Sequence, residues 1–139
     1  MGLGDWGTGG CRKLLCHCAF SAFSITRMEK IRSHFQLQVY QFARSLAIKV
    51  SGIVNILPAN ERFEMVLQWV RAARSVCTNI AEAWRKRRYP AAFIAKLNDA
   101  EGEAAESQTW ADLAEGSGYI SKQLRDEVVA EYELCSDNW

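Results

Sequence analysis

Four consecutive basic residues stand in the segment "AEAWRKRRYPAAF" of a 139-residue chain whose net charge is only +1. Clustered cations bind phosphate groups, and the release of counterions makes such binding strongly dependent on salt. Trp84 and Tyr89 flank the run, and aromatic rings can stack on unpaired bases. The pattern therefore predicts a candidate contact surface for RNA or DNA. The predicted nucleic-acid-binding residues are Arg85, Lys86, Arg87, Arg88 and Lys96.

The same run also has an interpretation without nucleic acid. Residues 1–98 hold 15 Lys and Arg against 5 Asp and Glu, a net charge of +10, whereas residues 99–139 hold 2 against 11, a net charge of −9. Such a separation favours contact between basic and acidic faces, within a bundle or between copies of the chain. Basic residues at a helix C-terminus also stabilise the helix dipole without any partner. The predicted intersubunit acidic face comprises Asp99, Glu101, Glu103 and Glu106.

Carboxylates at helical spacing also raise the question of a metal site. A di-iron centre in a helical bundle needs two Glu-x-x-His motifs and two further glutamates. The histidines, His17 and His34, lie outside the second, third and fourth predicted helices. We therefore expect the carboxylates to pair with arginines instead of a metal: Glu82, Asp99, Glu103 and Glu106 with Arg71, Arg74 and Arg85. Ser75 and Cys77 have no helical histidine to activate them as nucleophiles, and no glycine-rich phosphate loop is present. We expect no enzyme activity, no metal and no cofactor.

The composition and apolar spacing predict helices that position these residues. The chain is 49% apolar and contains only two prolines. Apolar residues recur at steps of three and four from Phe35 to Leu57, which predicts a first helix that ends at Pro58. Asn60 is then a plausible N-cap for the second helix. The predicted inward residues of the first helix are Leu37, Val39, Phe42, Leu46, Val50, Ile53, Val54 and Leu57.

The second helix is predicted to break at Tyr89-Pro90, because the residue before a proline is pushed out of the helical region. Its polar face is predicted to carry Arg71, Ser75, Asn79, Glu82 and Lys86. Its predicted apolar stripe comprises Phe63, Val66, Leu67, Val70, Ala73, Cys77, Ile80, Ala81 and Trp84.

The third helix is predicted from about Ala91 to Glu115, and Ser121 is predicted to cap a fourth. Long helices joined by short connections favour an all-α, antiparallel up-down-up-down four-helix bundle. The predicted stripe of the third helix is Phe93, Leu97, Ala100, Ala104, Ser107, Ala111 and Ala114, and that of the fourth is Leu124, Val128, Val129, Tyr132 and Leu134.

The first 27 residues differ from the remainder, which predicts an N-terminal extension (1–27) and a bundle domain (28–139). The extension has three interpretations: a loose tail or a start upstream of Met28, a targeting signal, or a metal-binding "CRKLLCHC" segment. Five cysteines without paired spacing favour a reducing compartment, hence the cytoplasm. No apolar run of eighteen residues is present, so we expect no membrane span.

The segment "RAARSVCTNIAEAWRKRRYPAAFIAKLNDAEGEAAESQTW" carries a resemblance to a known family. With "FQLQVYQFARSLA" before it and "GSGYIS" after it, the chain resembles the intervening-sequence proteins over about Met28 to Glu133. That family is named for reading frames in insertions of bacterial 23S ribosomal RNA genes. Asn79 and Glu82 match its central motif.

The resemblance implies an antiparallel four-helix bundle that forms a homopentamer with a central channel. A related group, the accessory proteins of diversity-generating retroelements, consists of basic pentamers that bind nucleic acid and a reverse transcriptase. No biochemical activity is established for the intervening-sequence members themselves. The resemblance thus implies a non-catalytic assembly module, with an RNA-binding accessory protein as the alternative.

The chain departs from the family pattern at two places in the second helix. Cys77 replaces a proline of the family pattern and Ala83 replaces a glycine. Both replacements favour an unkinked helix, since proline and glycine are the residues that disturb helix interiors. The fourth helix is also expected to be short.

Overall fold

Four helices account for most of residues 30–137, which are the residues that the computed structural model describes. No strand occurs in this range, and the predicted all-α four-helix bundle is confirmed. The predicted extension over residues 1–27, including its cysteines and His17, lies outside the described residues. The helices are α1 (Gln38–Ile53), α2 (Met65–Lys86), α3 (Pro90–Gly116) and α4 (Lys122–Ser136).

The helices pack around a closed circuit in which α2 contacts α3 most extensively, and α1 contacts both α2 and α4. Asn79 of α2 meets Lys96 of α3, and Trp69, earlier in α2, meets Ser107, later in α3. These two helices are therefore antiparallel. Contacts of Gln108 with Glu133 and of Asp112 with Arg125 show that α3 and α4 are also antiparallel.

The α1 helix is shorter than predicted, because separate turns of 3-10 helix occupy both of its ends, His34–Gln36 and Val54–Ile56. Leu46 and Val50 are almost completely buried, as predicted. Asn60 does not cap α2: it lies inside a further 3-10 helix, Ala59–Arg62, and α2 begins only at Met65.

The α2 stripe was predicted with the wrong rotation. Phe63 lies before α2 and is 79% exposed, and Leu67 is 54% exposed. The true centre of the stripe is rotated towards α3, and Asn79, predicted on the polar face, is only 8% exposed. Because α2 packs on both α1 and α3, its apolar arc is wide, and Val66, Val70 and Cys77 at its margin are half-buried. The buried residues of α2 are Met65, Trp69, Ala72, Ala73, Val76, Asn79, Ile80 and Ala83.

The stripe of α3 is confirmed for its last five members, from Ala100 to Ala114, which are buried, whereas Phe93 and Leu97 are half-buried. Small side chains here bring neighbouring helices close. The predicted cap of α4 is confirmed as well, because the hydroxyl of Ser121 accepts a hydrogen bond from the Leu124 amide at 3.2 Å. Leu134 is 56% exposed, contrary to the prediction, and Cys135 takes the buried position beside it.

The core contains one polar network that joins three helices. The indole nitrogen of Trp69 donates to the hydroxyl of Ser107 at 3.0 Å, and that hydroxyl lies 2.9 Å from the hydroxyl of Tyr132. All three residues are buried. Burial is the main cause that raises the pKa of Tyr132 well above its ordinary value. This network fixes α2, α3 and α4 in one register.

Residues 30–137 include no helix that combines the length and the apolar character needed to cross a membrane.

Candidate functional site

The basic run forms the corner between α2 and α3. The α2 helix ends at Lys86, and the amide of Tyr89 donates to the Lys86 carbonyl at 2.8 Å, which closes the turn. Pro90 opens α3 at a position where its missing amide hydrogen leaves no helical bond unmade. The corner therefore has the local structure that its sequence predicted.

The four cations of this corner differ in their surroundings. Arg85 and Arg88 are exposed, whereas Lys86 is half-buried. Arg87 folds back on the end of α2: its guanidinium donates to the Trp84 carbonyl at 2.7 Å and lies 4.1 Å from the centre of the Trp84 ring. Trp84 is half-buried, and the guanidinium of Arg87 covers part of the ring that remains. Within the described part of the chain, none of the four cations forms an ion pair.

Among the described residues, Lys96, unlike the four cations of the corner, forms ion pairs. Its ammonium lies 3.0 Å from a carboxylate oxygen of Glu82 and 3.1 Å from one of Asp99, and it donates to the Asn79 amide oxygen at 3.3 Å. The hydrogen bonds to Glu82 and then to Asp99 raise the pKa of Lys96. These contacts join α2 to α3 and bring both residues of the predicted family motif, Asn79 and Glu82, into one cluster. Within a copy, Lys96 is thus the partner of these carboxylates, in place of the arginines expected from the sequence.

The predicted acidic residues do not form one face. Glu103 and Glu106 line a shallow, open depression between α2 and α3, together with Asp99 and Lys96. Glu101 is exposed and stands two residues from Glu103, which is about 200° around the helix. Glu106 accepts a hydrogen bond from the Trp110 indole at 3.1 Å, and in residues 30–137 neither Glu103 nor Glu106 forms an ion pair.

The candidate nucleophiles are poorly placed for covalent chemistry. Ser75 accepts a hydrogen bond from the Asn79 amide at 3.4 Å. Cys77 is half-buried, its thiol lies 3.9 Å from the Ala73 carbonyl oxygen, and burial raises its pKa. A raised pKa keeps the thiol protonated, and the protonated form is a weak nucleophile. The described residues contain no group of three or more His, Cys, Asp or Glu side chains arranged to hold a metal ion.

The comparison with known families decides the relationship of the chain. The family described as 23S rRNA-intervening sequence protein matches residues 35–138, which include all four helices and the basic corner. The chain belongs to this family.

A solved structure supports the same relationship. A protein of unknown function from the S23 ribosomal protein family of Bacteroides thetaiotaomicron is similar to the chain, with a TM-score of 0.65 and 26% identity. The match covers 71% of this chain and 88% of that one. No match was found among curated proteins.

As a member of the intervening-sequence family, the chain has one feature that the departures from the family pattern predicted. The α2 helix runs without interruption through Cys77 and Ala83 to Lys86. This continuity places Arg85 on the same helix as the exposed residues Arg71 and Arg74.

Arg71 and Arg74 were predicted as partners of the carboxylates and not as part of the binding surface. Both are exposed and line an open groove along α2 with Leu67 and Thr78. Neither forms an ion pair in the structure from residue 30 to residue 137. The signal that could have found them is their helical spacing from Arg85, which a contiguous basic run obscured.

Proposed function

We propose that the chain is a non-catalytic assembly module, a four-helix bundle that forms a homo-oligomer. The basic end of α2 in one copy meets the acidic surface of α3 in the next. The observation that carries this proposal is a pair of oppositely charged surfaces that remain unpaired within one copy. Arg85 and Arg88 are exposed at one surface, and Glu103 and Glu106 line the other.

The separation of charge along the chain supports a second copy as the partner. The chain carries a net charge of +10 over residues 1–98 and of −9 over residues 99–139, so each copy offers both signs of charge for a complementary contact. Exposed ion pairs contribute little free energy individually. They set the register and the partner of the contact, while apolar residues supply most of its strength.

Repetition of such a contact builds a larger assembly. Two different surfaces of one chain meet, so the contact is heterologous, and repetition of a heterologous contact gives a closed ring or an open filament. A homopentamer, which the family resemblance implies, is one closed form. In this proposal Asp99 contributes less than Glu103 and Glu106, because Lys96 already neutralises it.

The alternative function is nucleic-acid binding through the same corner. Tyr89 is 70% exposed beside the exposed Arg85 and Arg88, and this arrangement suits an unpaired base with its phosphates. Trp84 is less available for stacking, because it is half-buried and lies under Arg87. The assembly proposal is preferred, since it also accounts for the acidic surface.

The proposal includes a cytoplasmic location without a cofactor. Cys77 and Cys135 are free thiols, and free thiols suit a reducing compartment.

The test replaces Arg85, Lys86, Arg87 and Arg88 together by alanine and measures molecular mass by light scattering at low and high salt. Assembly through these residues predicts a smaller species for the variant. The matched control is the double change Arg32→Ala and Arg62→Ala, which removes two exposed cations away from the corner and is expected to leave the mass unchanged.

A titration with single-stranded RNA at two salt concentrations separates the two functions. Tight binding that weakens with salt and is lost in the quadruple variant, while the oligomer persists, would establish the alternative. An intact oligomer in the quadruple variant without RNA binding would contradict both roles for the run.

A further inference from the structure

The outer side of α3 carries a glycine that one copy of the protein does not require. Gly102 lies in the interior of a 27-residue helix and is exposed. A Cβ atom added there would meet no atom within 4 Å, and the residue does not need a positive φ. Glycine stabilises a helix interior less than alanine does. Packing within a single copy therefore gives no reason for a glycine at this position.

Residues around Gly102 give this surface a defined character. Glu106 and Leu113 follow it by four and eleven residues, so all three lie on one side of α3. Gly102 and Glu106 also line the open depression beside α2. Leu113 is 46% exposed, and Glu106 is exposed without an ion pair in residues 30–137. Read from the C-terminal end of α3, this surface presents the apolar Leu113, then the acidic Glu106, then Gly102, which has no side chain. We call Gly102, Glu106 and Leu113 the α3 outer surface.

The outer side of α2 has the complementary order. Leu67 is 54% exposed, and Arg74 and Thr78 are exposed seven and eleven residues further along. All three line the open groove along this helix. We call Leu67, Arg74 and Thr78 the α2 outer surface.

We infer that the α2 outer surface of one copy docks on the α3 outer surface of a second copy, with the two helices antiparallel. The intervals match: from Leu67 the steps to Arg74 and Thr78 are seven and four residues, and the same steps lead backwards from Leu113 to Glu106 and Gly102. Leucine then meets leucine, Arg74 meets Glu106, and Thr78 packs on Gly102, where the missing side chain permits close approach of the helices. This inference rests on the proposed homo-oligomer and names the surfaces that build it.

The same register pairs Glu106 with Arg74 instead of with the corner cations. Eleven residues beyond Arg74, Arg85 falls opposite Ala95 and within one helical turn of Asp99 in the second copy. The contact cannot be made within one copy, because α2 and α3 already pack on each other through their buried sides. A second copy is therefore the partner that offers both the charge and the spacing.

The test replaces Gly102 by leucine and measures the association of the full chain by analytical ultracentrifugation. Open space around Gly102 predicts that the variant folds, with a thermal midpoint at or above that of the unchanged protein. Its association is expected to weaken at least tenfold. The matched control is Gly116→Leu, since Gly116 is also an exposed α3 glycine with open space around it, but lies outside the α3 outer surface.

A charge exchange tests the register independently. Arg74→Glu and Glu106→Arg are each expected to weaken association, and the double variant is expected to recover most of it. If the unchanged protein is an oligomer and Gly102→Leu assembles equally well, the inference is wrong and the proposed function stands. If the unchanged protein is a monomer at tens of micromolar, the proposed function fails and this docking fails with it.

Discussion

The indole nitrogen of Trp69 lies 3.0 Å from the hydroxyl oxygen of Ser107, deep in the core between α2 and α3. Neither residue has measurable exposure, and the same hydroxyl also meets Tyr132 of α4. A single small side chain therefore satisfies two large aromatic residues from two other helices. Buried polar groups cost free energy when they lose their partners, so this hydroxyl stabilises the bundle more than its size suggests.

Ser107→Ala is expected to lower the free energy of unfolding by about 2–4 kcal/mol, because it leaves two buried polar groups without a partner. Urea denaturation monitored by circular dichroism measures this loss. Thr109→Ala is the control: its exposed hydroxyl binds only the Ala105 carbonyl of its own helix, and a change within about 0.5 kcal/mol is expected. Equal losses of stability in the two variants would show that the buried network does not stabilise the bundle more than an exposed hydroxyl does.

The two faces of α1 predict opposite results for similar truncations. Leu46 is 1% exposed, so Leu46→Ala is expected to destabilise the protein by about 2–5 kcal/mol through lost burial and a cavity. Ile48 is 56% exposed, and Ile48→Ala is expected to change stability by less than about 1 kcal/mol. Chemical denaturation of both variants measures the two losses of stability. Similar losses for Leu46→Ala and Ile48→Ala would contradict the orientation of α1.

Stability is expected to fall in alkaline solution. Burial raises the pKa of Cys135 from 9.0 to about 11, so the folded state holds a proton that the unfolded state releases. This contribution is complete below about pH 9 and disappears as the pH rises towards 11. The slope is about 1.4 kcal/mol per pH unit for each proton retained. Thermal midpoints from pH 8 to pH 11 measure it, and Cys135→Ala is expected to give a shallower decline.

Loss of the Lys96 ammonium is expected to loosen the α2–α3 contact. Lys96→Gln leaves Glu82 and Asp99 without their shared cation, so the thermal midpoint is expected to fall. Lys122→Gln, at an exposed lysine without an ion pair in the described part of the chain, is the control and is expected to change little. Added salt is expected to reduce the difference between the two variants, since it screens the ion pairs of Lys96. A difference that does not depend on salt would contradict an electrostatic role.

The sequence predicted α3 well, because its stripe of small residues from Ala100 to Ala114 contacts its neighbours along a narrow, regular line. The stripe of α2 was harder to predict, because this helix packs on two neighbours and apolar residues cover much of its circumference. Spacing alone did not distinguish the half-buried side that includes Val70 and Cys77 from the fully buried side that includes Trp69 and Val76.

The sequence predicted where the basic corner lies, but not which side chains pair with each other beside it. The residues around Pro90 predicted a basic corner between two helices, and that corner is present. The cluster of Lys96 with Glu82 depends on the rotation of α2 against α3, which only tertiary packing determines. The same rotation exposes Leu67 and Arg74 together, whereas the spacing had predicted that Leu67 faces inward.

The most direct test of assembly is the molecular mass of the unchanged protein in solution at tens of micromolar. One copy has a mass of 15.7 kDa. Light scattering at low salt is expected to give a multiple of this mass, and added salt is expected to shift the population towards smaller species, because the proposed contact joins opposite charges. A mass of one copy at low salt and this concentration would contradict the account.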